Sequence, residues 1–130
     1  MRFGSAEAYL APAGRRPNLT VLTNTLVTRI LTEGGRAVGV EVSDRHGHTR
    51  RINAHAEVIL SGGAFNTPAL LQYSGIGPAE FLRSVGVPPV VDLPAVGENL
   101  MEHPLVYITY ELTGGHVGIT DVERRKYLAQ

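Results

Sequence analysis

The residues best suited to chemistry lie in one run, Val58-Ile59-Leu60-Ser61-Gly62-Gly63-Ala64-Phe65-Asn66-Thr67-Pro68. An apolar triplet leads into a glycine pair, and residues that start helices follow. Adjacent glycines let the backbone approach a ligand closely. A helix opening just behind them aims unpaired N–H groups and its positive dipole end at the same spot. A phosphate group, or the polar edge of a nucleotide, would sit well there. Ser61, Gly62 and Gly63 are therefore binding candidates, although the same glycines would serve equally in a plain tight turn. Asn66 and Thr67 stand beside them as N-cap candidates, and Pro68 fits a first helical turn.

The histidines offer less. His46 and His48 share a turn and His55 falls on the polar face of a strand; with no cysteine in the chain, they make a poor metal site, and no metal is expected. His103, in Met101-Glu102-His103-Pro104, is a loop histidine that would ordinarily be solvated. Charge is balanced, 12 Lys+Arg against 12 Asp+Glu, which argues against general binding to nucleic acid or an anionic membrane. No apolar run approaches the roughly 20 residues of a membrane span. Residues 1–10 lack the apolar centre of a secretory signal, which favours a cytoplasmic setting.

These candidates need elements to hold them. Ser5 to Leu10 reads as a short helix stopped by Pro12 and Gly14. Val38, Val40 and Val42 alternate with Gly39, Glu41 and Ser43, and Ile52, Ala54 and Ala56 repeat the pattern. With Leu26 to Thr32 before them, and turns at Gly34-Gly35 and Asp44 to His48, these form an antiparallel meander. Leu19 to Leu22 predicts a further short strand. Val58 to Leu60, apolar at every position, reads as a strand covered on both faces in a parallel or mixed sheet. A helix from Asn66 ends at Ser74-Gly75, and a second runs from Pro78 to Gly86. A proline-rich connection leads to a last strand at Val106 to Leu112 and a charged tail. The fold class is mixed α/β.

The ordered set of motifs resembles the glucose–methanol–choline (GMC) family of FAD-dependent oxidoreductases. Gly63-Ala64, Thr67-Pro68, Leu70-Leu71 and Ser74-Gly75-Ile76-Gly77 follow the spacing of that family's second signature. Ser5 to Leu10, Pro17 to Val21, Gly35 to Val40 and Leu93 to Leu100 resemble further family segments in the same order, with Ala95 replacing a usual glycine. The resemblance covers about residues 5–112.

It implies a partial Rossmann-like FAD-binding domain over 1–112: meander 19–56, parallel strand and glycine turn 57–64, helices 66–86, connection 87–104, and the start of a substrate-domain sheet at 105–112. The tail is 113–130. It further implies that Val27 contacts the adenine end of FAD through its backbone, although a β-branched strand residue needs no such role. By the same resemblance Ser61, Gly62, Gly63, Asn66 and Thr67 lie beside the dinucleotide, Asn99 and Leu100 line a loop beside the flavin, and His103 falls on the substrate side. Choline-acting members carry a glutamate where this chain has Leu105, which points to a neutral alcohol. No G-x-G-x-x-G occurs, and neither His103 nor His116 has the spacing of the family's catalytic histidine. The chain is thus expected to be inactive alone, with no catalytic residue of its own. A non-catalytic binding module, or an unstable fragment reusing the meander, is the alternative.

Overall fold

The computed structural model describes residues 4–108, with a division after Leu100 between a first unit and a second beginning at Met101. The first helix is a π-type segment, Ala6–Leu10, that continues as a single α turn, α1 (Ala11–Ala13). Pro12 does not stop it; it stands one residue past Ala11, whose N–H donates to the Ala6 carbonyl. Gly14 ends it, its N–H donating to the Leu10 carbonyl at 2.8 Å.

Three strands then form an antiparallel sheet in the order β1 (Thr25–Glu33), β2 (Arg36–Asp44), β3 (Thr49–Asn53). Of the alternating valines in β2 only Val42 is buried, at 3% exposure; Val38 and Val40 are half-buried and Gly39 between them is buried, while Ile30 of β1 is buried at 5%. β3 stops short of the alternation that seemed to extend it. After Ala54 donates to the Val38 carbonyl, His55 and Ala56 are held by the Arg36 guanidinium on their carbonyls, not by a ladder. The strand expected at Leu19 to Leu22 is absent; these residues are exposed and pair with no strand.

Val58 to Leu60 also forms no strand, and Ile59 is 76% exposed. Continuous apolarity signals burial on two faces, but parallel pairing needs neighbouring strands, and none pairs with this triplet among the described residues. Helix α2 (Gly63–Tyr73) starts earlier than Asn66, so Pro68 lies inside it. The reason is Thr67. Its Oγ1 reaches back to accept the Gly62 N–H at 3.0 Å, closing the N-terminus from within the helix.

α2 ends as expected at Ser74-Gly75. Gly75 takes φ +82°, and a Cβ there would lie 2.6 Å from the Pro88 carbonyl oxygen, so conformation and space both demand glycine. Beyond it β4 (Ile76–Gly77) pairs in parallel with β5 (Val91–Asp92), a small sheet within what reads as plain connection. Between them α3 (Ala79–Ser84) buries Leu82 completely, and the Asp92 carboxylate accepts the Ala79 N–H at 3.0 Å to cap the helix. Gln72 Nε2 donates to the Val96 carbonyl at 3.0 Å, tying α2 to the loop that leads to Asn99. Residues 105–108 carry no strand; the remainder of the strand expected there, and the tail at 113–130, lie outside the described residues.

Candidate functional site

The site begins with the register of β1. Thr25, Leu26 and Val27 stand opposite Asp44, Ser43 and Val42, and Arg29 and Ile30 stand opposite Glu41 and Val40. Thr28 is therefore an extra residue, a β-bulge, and its hydroxyl donates to Glu41 Oε1 at 3.0 Å. The bulge has a consequence for direction. Ala54 N–H donates to the Val38 carbonyl and Asp44 N–H to the His48 carbonyl, so even-numbered residues of β2 turn their polar groups toward β3. Residues opposite them on β1 must turn theirs away from β2. Ile30, opposite Val40, does so, and its N–H donates to Ser74 Oγ at 2.8 Å. Val27, opposite Val42, follows the same rule. Plain alternation from Ile30 would point Val27 into the ladder; the extra residue reverses it. One N–H and one C=O of Val27 thus face out from the open edge of the sheet.

That edge borders a cleft of about 800 Å³. One wall is Leu26, Val27 and Thr28 of β1 with Val40 of β2. A second is Val58 to Gly62. The third is the face of α2 that carries Asn66, Ala69, Leu70 and Tyr73 at helical spacing. The lining is mostly apolar, with Ser61, Asn66, Thr67 and Thr28 as its polar members. Ser74 Oγ, which accepts from Ile30, also donates to the Leu70 carbonyl at 2.6 Å. Its single hydroxyl joins the strand wall to the helix wall.

Five residues singled out from the sequence meet in this cleft: Val27, Ser61, Gly62, Asn66 and Thr67. Gly63 is not in its lining; it opens α2 at φ +87°, a conformation that other residues resist. One amide of the glycine turn is committed and three are not. Gly62 N–H is already used by Thr67. The N–H groups of Gly63, Ala64 and Phe65, in the first turn, have no acceptor among the described residues. Asn99 and Leu100 do not line the cleft; Asn99 sits at φ +58°, the left-handed conformation asparagine tolerates, and Leu100 is exposed. His103 belongs to the second unit, is exposed, and its N–H donates to the Glu102 carboxylate at 2.9 Å.

Leu70 and Tyr73 are among the lining residues not named as site candidates, yet their signal was present: they stand four and seven positions after Asn66 on one helix face. The histidine turn has a carboxylate partner. Asp44 Oδ2 lies 3.1 Å from His48 Nδ1, and the Asp44 carboxyl is held below its ordinary value, first by the His48 side chain and then by the N–H groups of His48, His46 and Gly47. Even so, no group of three such side chains able to hold a metal occurs among the described residues. No helix among them is long and apolar enough to cross a membrane.

Comparison with known proteins follows the same segment. A family model described as GMC oxidoreductase matches residues 1–105. An oxygen-dependent choline dehydrogenase of Staphylococcus haemolyticus is 54% identical over 110 residues, covering 85% of this chain and 19% of that protein. The chain therefore spans about one fifth of the length of the curated relatives it matches. Among solved structures, pyridoxine 4-oxidase from Mesorbium loti superimposes with a TM-score of 0.65 at 41% identity, over 72% of this chain and 18% of that one. An FAD-dependent oxidoreductase from Chaetomium thermophilum gives a TM-score of 0.64 at 36% identity, over 70% and 16%.

Proposed function

The chain belongs to the GMC oxidoreductase family, whose cofactor is FAD, and from that premise we propose that its cleft receives the adenine end of FAD. The observation that carries the reading is the outward N–H and C=O of Val27 at the free edge of β1. Each polar edge of adenine sets an acceptor ring nitrogen beside the donor N6 amino group. A backbone N–H and C=O from one residue meets that pair with two hydrogen bonds. The apolar walls fit a flat ring: Leu26 and Val27 on one side, Ala69 and Leu70 on another. Ser61, Asn66 and Thr67 supply the hydroxyl and amide groups that a ribose can use.

The lining donor set fits the adenosine half of the cofactor, and Gly62 N–H is spent inside the chain. When bound, the flavin supplies the hydride acceptor. This chain holds the far end of that molecule and thereby helps to fix its register. None of its described residues is assigned as the base for the hydroxyl proton of an alcohol, and the chain alone is expected to be inactive. As part of an assembled flavoenzyme it serves oxidation at the CH–OH group of a small alcohol. Leu105 stands where a glutamate would meet a quaternary ammonium, which supports a neutral alcohol over choline. His103 is the candidate on the substrate side, and Asn99 and Leu100 are the candidates beside the flavin. Titration with AMP tests the adenine reading: the Val27 amide resonance should move, and those of β3, on the far side of β2, should not. A Val27 amide unmoved at saturating AMP refutes it.

A further inference from the structure

We propose that Ser74 is a positioning residue for the adenine cleft, the one group that sets the distance between its strand wall and its helix wall. The inference rests on the adenine reading and extends it to a residue outside the lining.

Three observations converge. Ser74 is buried at 5% exposure, so its hydroxyl cannot exchange its partners for water. It accepts the Ile30 N–H at 2.8 Å and donates to the Leu70 carbonyl at 2.6 Å, satisfying both of its roles at once. And those two partners belong to the two elements that wall the cleft, Ile30 to β1 and Leu70 to α2. Ile30 lies three positions past Val27 on the same free edge, while Leu70 and Tyr73 belong to the opposite wall.

The bulge at Thr28 divides the edge between them. On one side of it the edge is closed by Ser74; on the other it is open at Val27. Because both residues project their polar groups in the same direction, the hydroxyl that docks α2 against Ile30 also fixes how far α2 stands from Val27. A ring inserted between Val27 and Leu70 therefore meets a slot of set width. Alanine at position 74 would leave the N–H of buried Ile30 without a partner and let the helix drift from the strand. Threonine keeps the hydroxyl.

The experiment uses the full 130-residue chain and AMP as the probe. Amide exchange at Ile30 reports the clamp, and the AMP-induced shift at Val27 reports the slot. In the wild type, Ile30 should be protected and Val27 should respond. Ser74→Ala and Ser74→Cys should lose Ile30 protection and weaken AMP at Val27 about tenfold, or about 1.4 kcal/mol. Ser74→Thr should restore both. AMP binding unchanged in Ser74→Ala, with Ile30 protection gone, overturns the positioning role and leaves the adenine reading standing. No AMP response in the wild type overturns both. Collapse of the β2–β3 resonances in both the Ala and Cys variants would show a general structural role and likewise overturn the proposal.

Discussion

A proline at position 27 separates the ladder from the edge. Val27 faces Val42 in a pair whose polar groups point away from each other, so its N–H makes no bond to β2. Proline removes that N–H while leaving the ladder intact, the one circumstance in which strands accept it. Its neighbour Leu26 faces Ser43, an odd-numbered residue of β2, and sends its N–H into the ladder. Val27→Pro should therefore cost under about 1 kcal/mol of stability, and Leu26→Pro about 3 kcal/mol. Ligand discrimination should show the reverse order of importance. IMP replaces the N6 amino donor of AMP with an oxygen acceptor, which sets two acceptors face to face at the Val27 carbonyl. The cost of an unmet acceptor runs from about 1 to 3 kcal/mol. Val27 is 37% exposed, so water relieves part of it and the lower end applies, roughly fivefold in affinity. Urea unfolding gives the stabilities, and titration followed at the β1 amides gives the AMP and IMP affinities. Equal binding of AMP and IMP by the wild type would refute the reasoning. So would a Val27→Pro chain that binds AMP undiminished, or one destabilised as much as Leu26→Pro, since either shows that the bulge does not turn Val27 outward.

The remaining expectations are shorter. The 130-residue chain, which contains no G-x-G-x-x-G, should bind FAD only weakly, through its adenine end; submicromolar affinity in a fluorescence titration would contradict this. An assembled, flavin-loaded enzyme carrying this segment should have its flavin bleached by a small neutral alcohol more readily than by choline, and a preference for choline would remove Leu105 as a specificity argument. The Asp44 carboxyl should titrate below 3.8, and His48→Ala should raise its midpoint, measured by carbon-detected NMR. Its folded value is depressed. Whatever the turn contributes to stability is thus present above the unfolded carboxyl value and lost as pH falls through the folded one.

How much of this was legible in the residues depends on how far each feature reaches along the chain. Alternation in Val38, Val40 and Val42 is local, and it placed β2 and its buried Val42 correctly. The stop at Ser74-Gly75 is local too. The start of α2 was misplaced because capping chemistry reads in both directions: Thr67 can cap the helix that follows it or, as here, reach back to Gly62 from inside one. Val58 to Leu60 misled for a different reason. An apolar run records that the segment is to be covered, not by what, and here it walls a cleft instead of pairing in a sheet.

The most consequential feature left no local mark at all. A bulge at Thr28 has no glycine to announce it; it exists only in the pairing register, where β1 skips Thr28 and β2 skips Val38. From the β1 pattern alone, Val27 is a strand valine like any other, and only the family resemblance singled it out. The register supplies the physical reason. By inserting one residue, the strand turns two backbone groups to the same open edge, closes one of them with a buried hydroxyl, and leaves the other exposed to a ligand. The recognising atoms at Val27 are then main-chain atoms. Side-chain substitution at 27 should matter far less than any change that moves the bulge or removes the Ser74 hydroxyl.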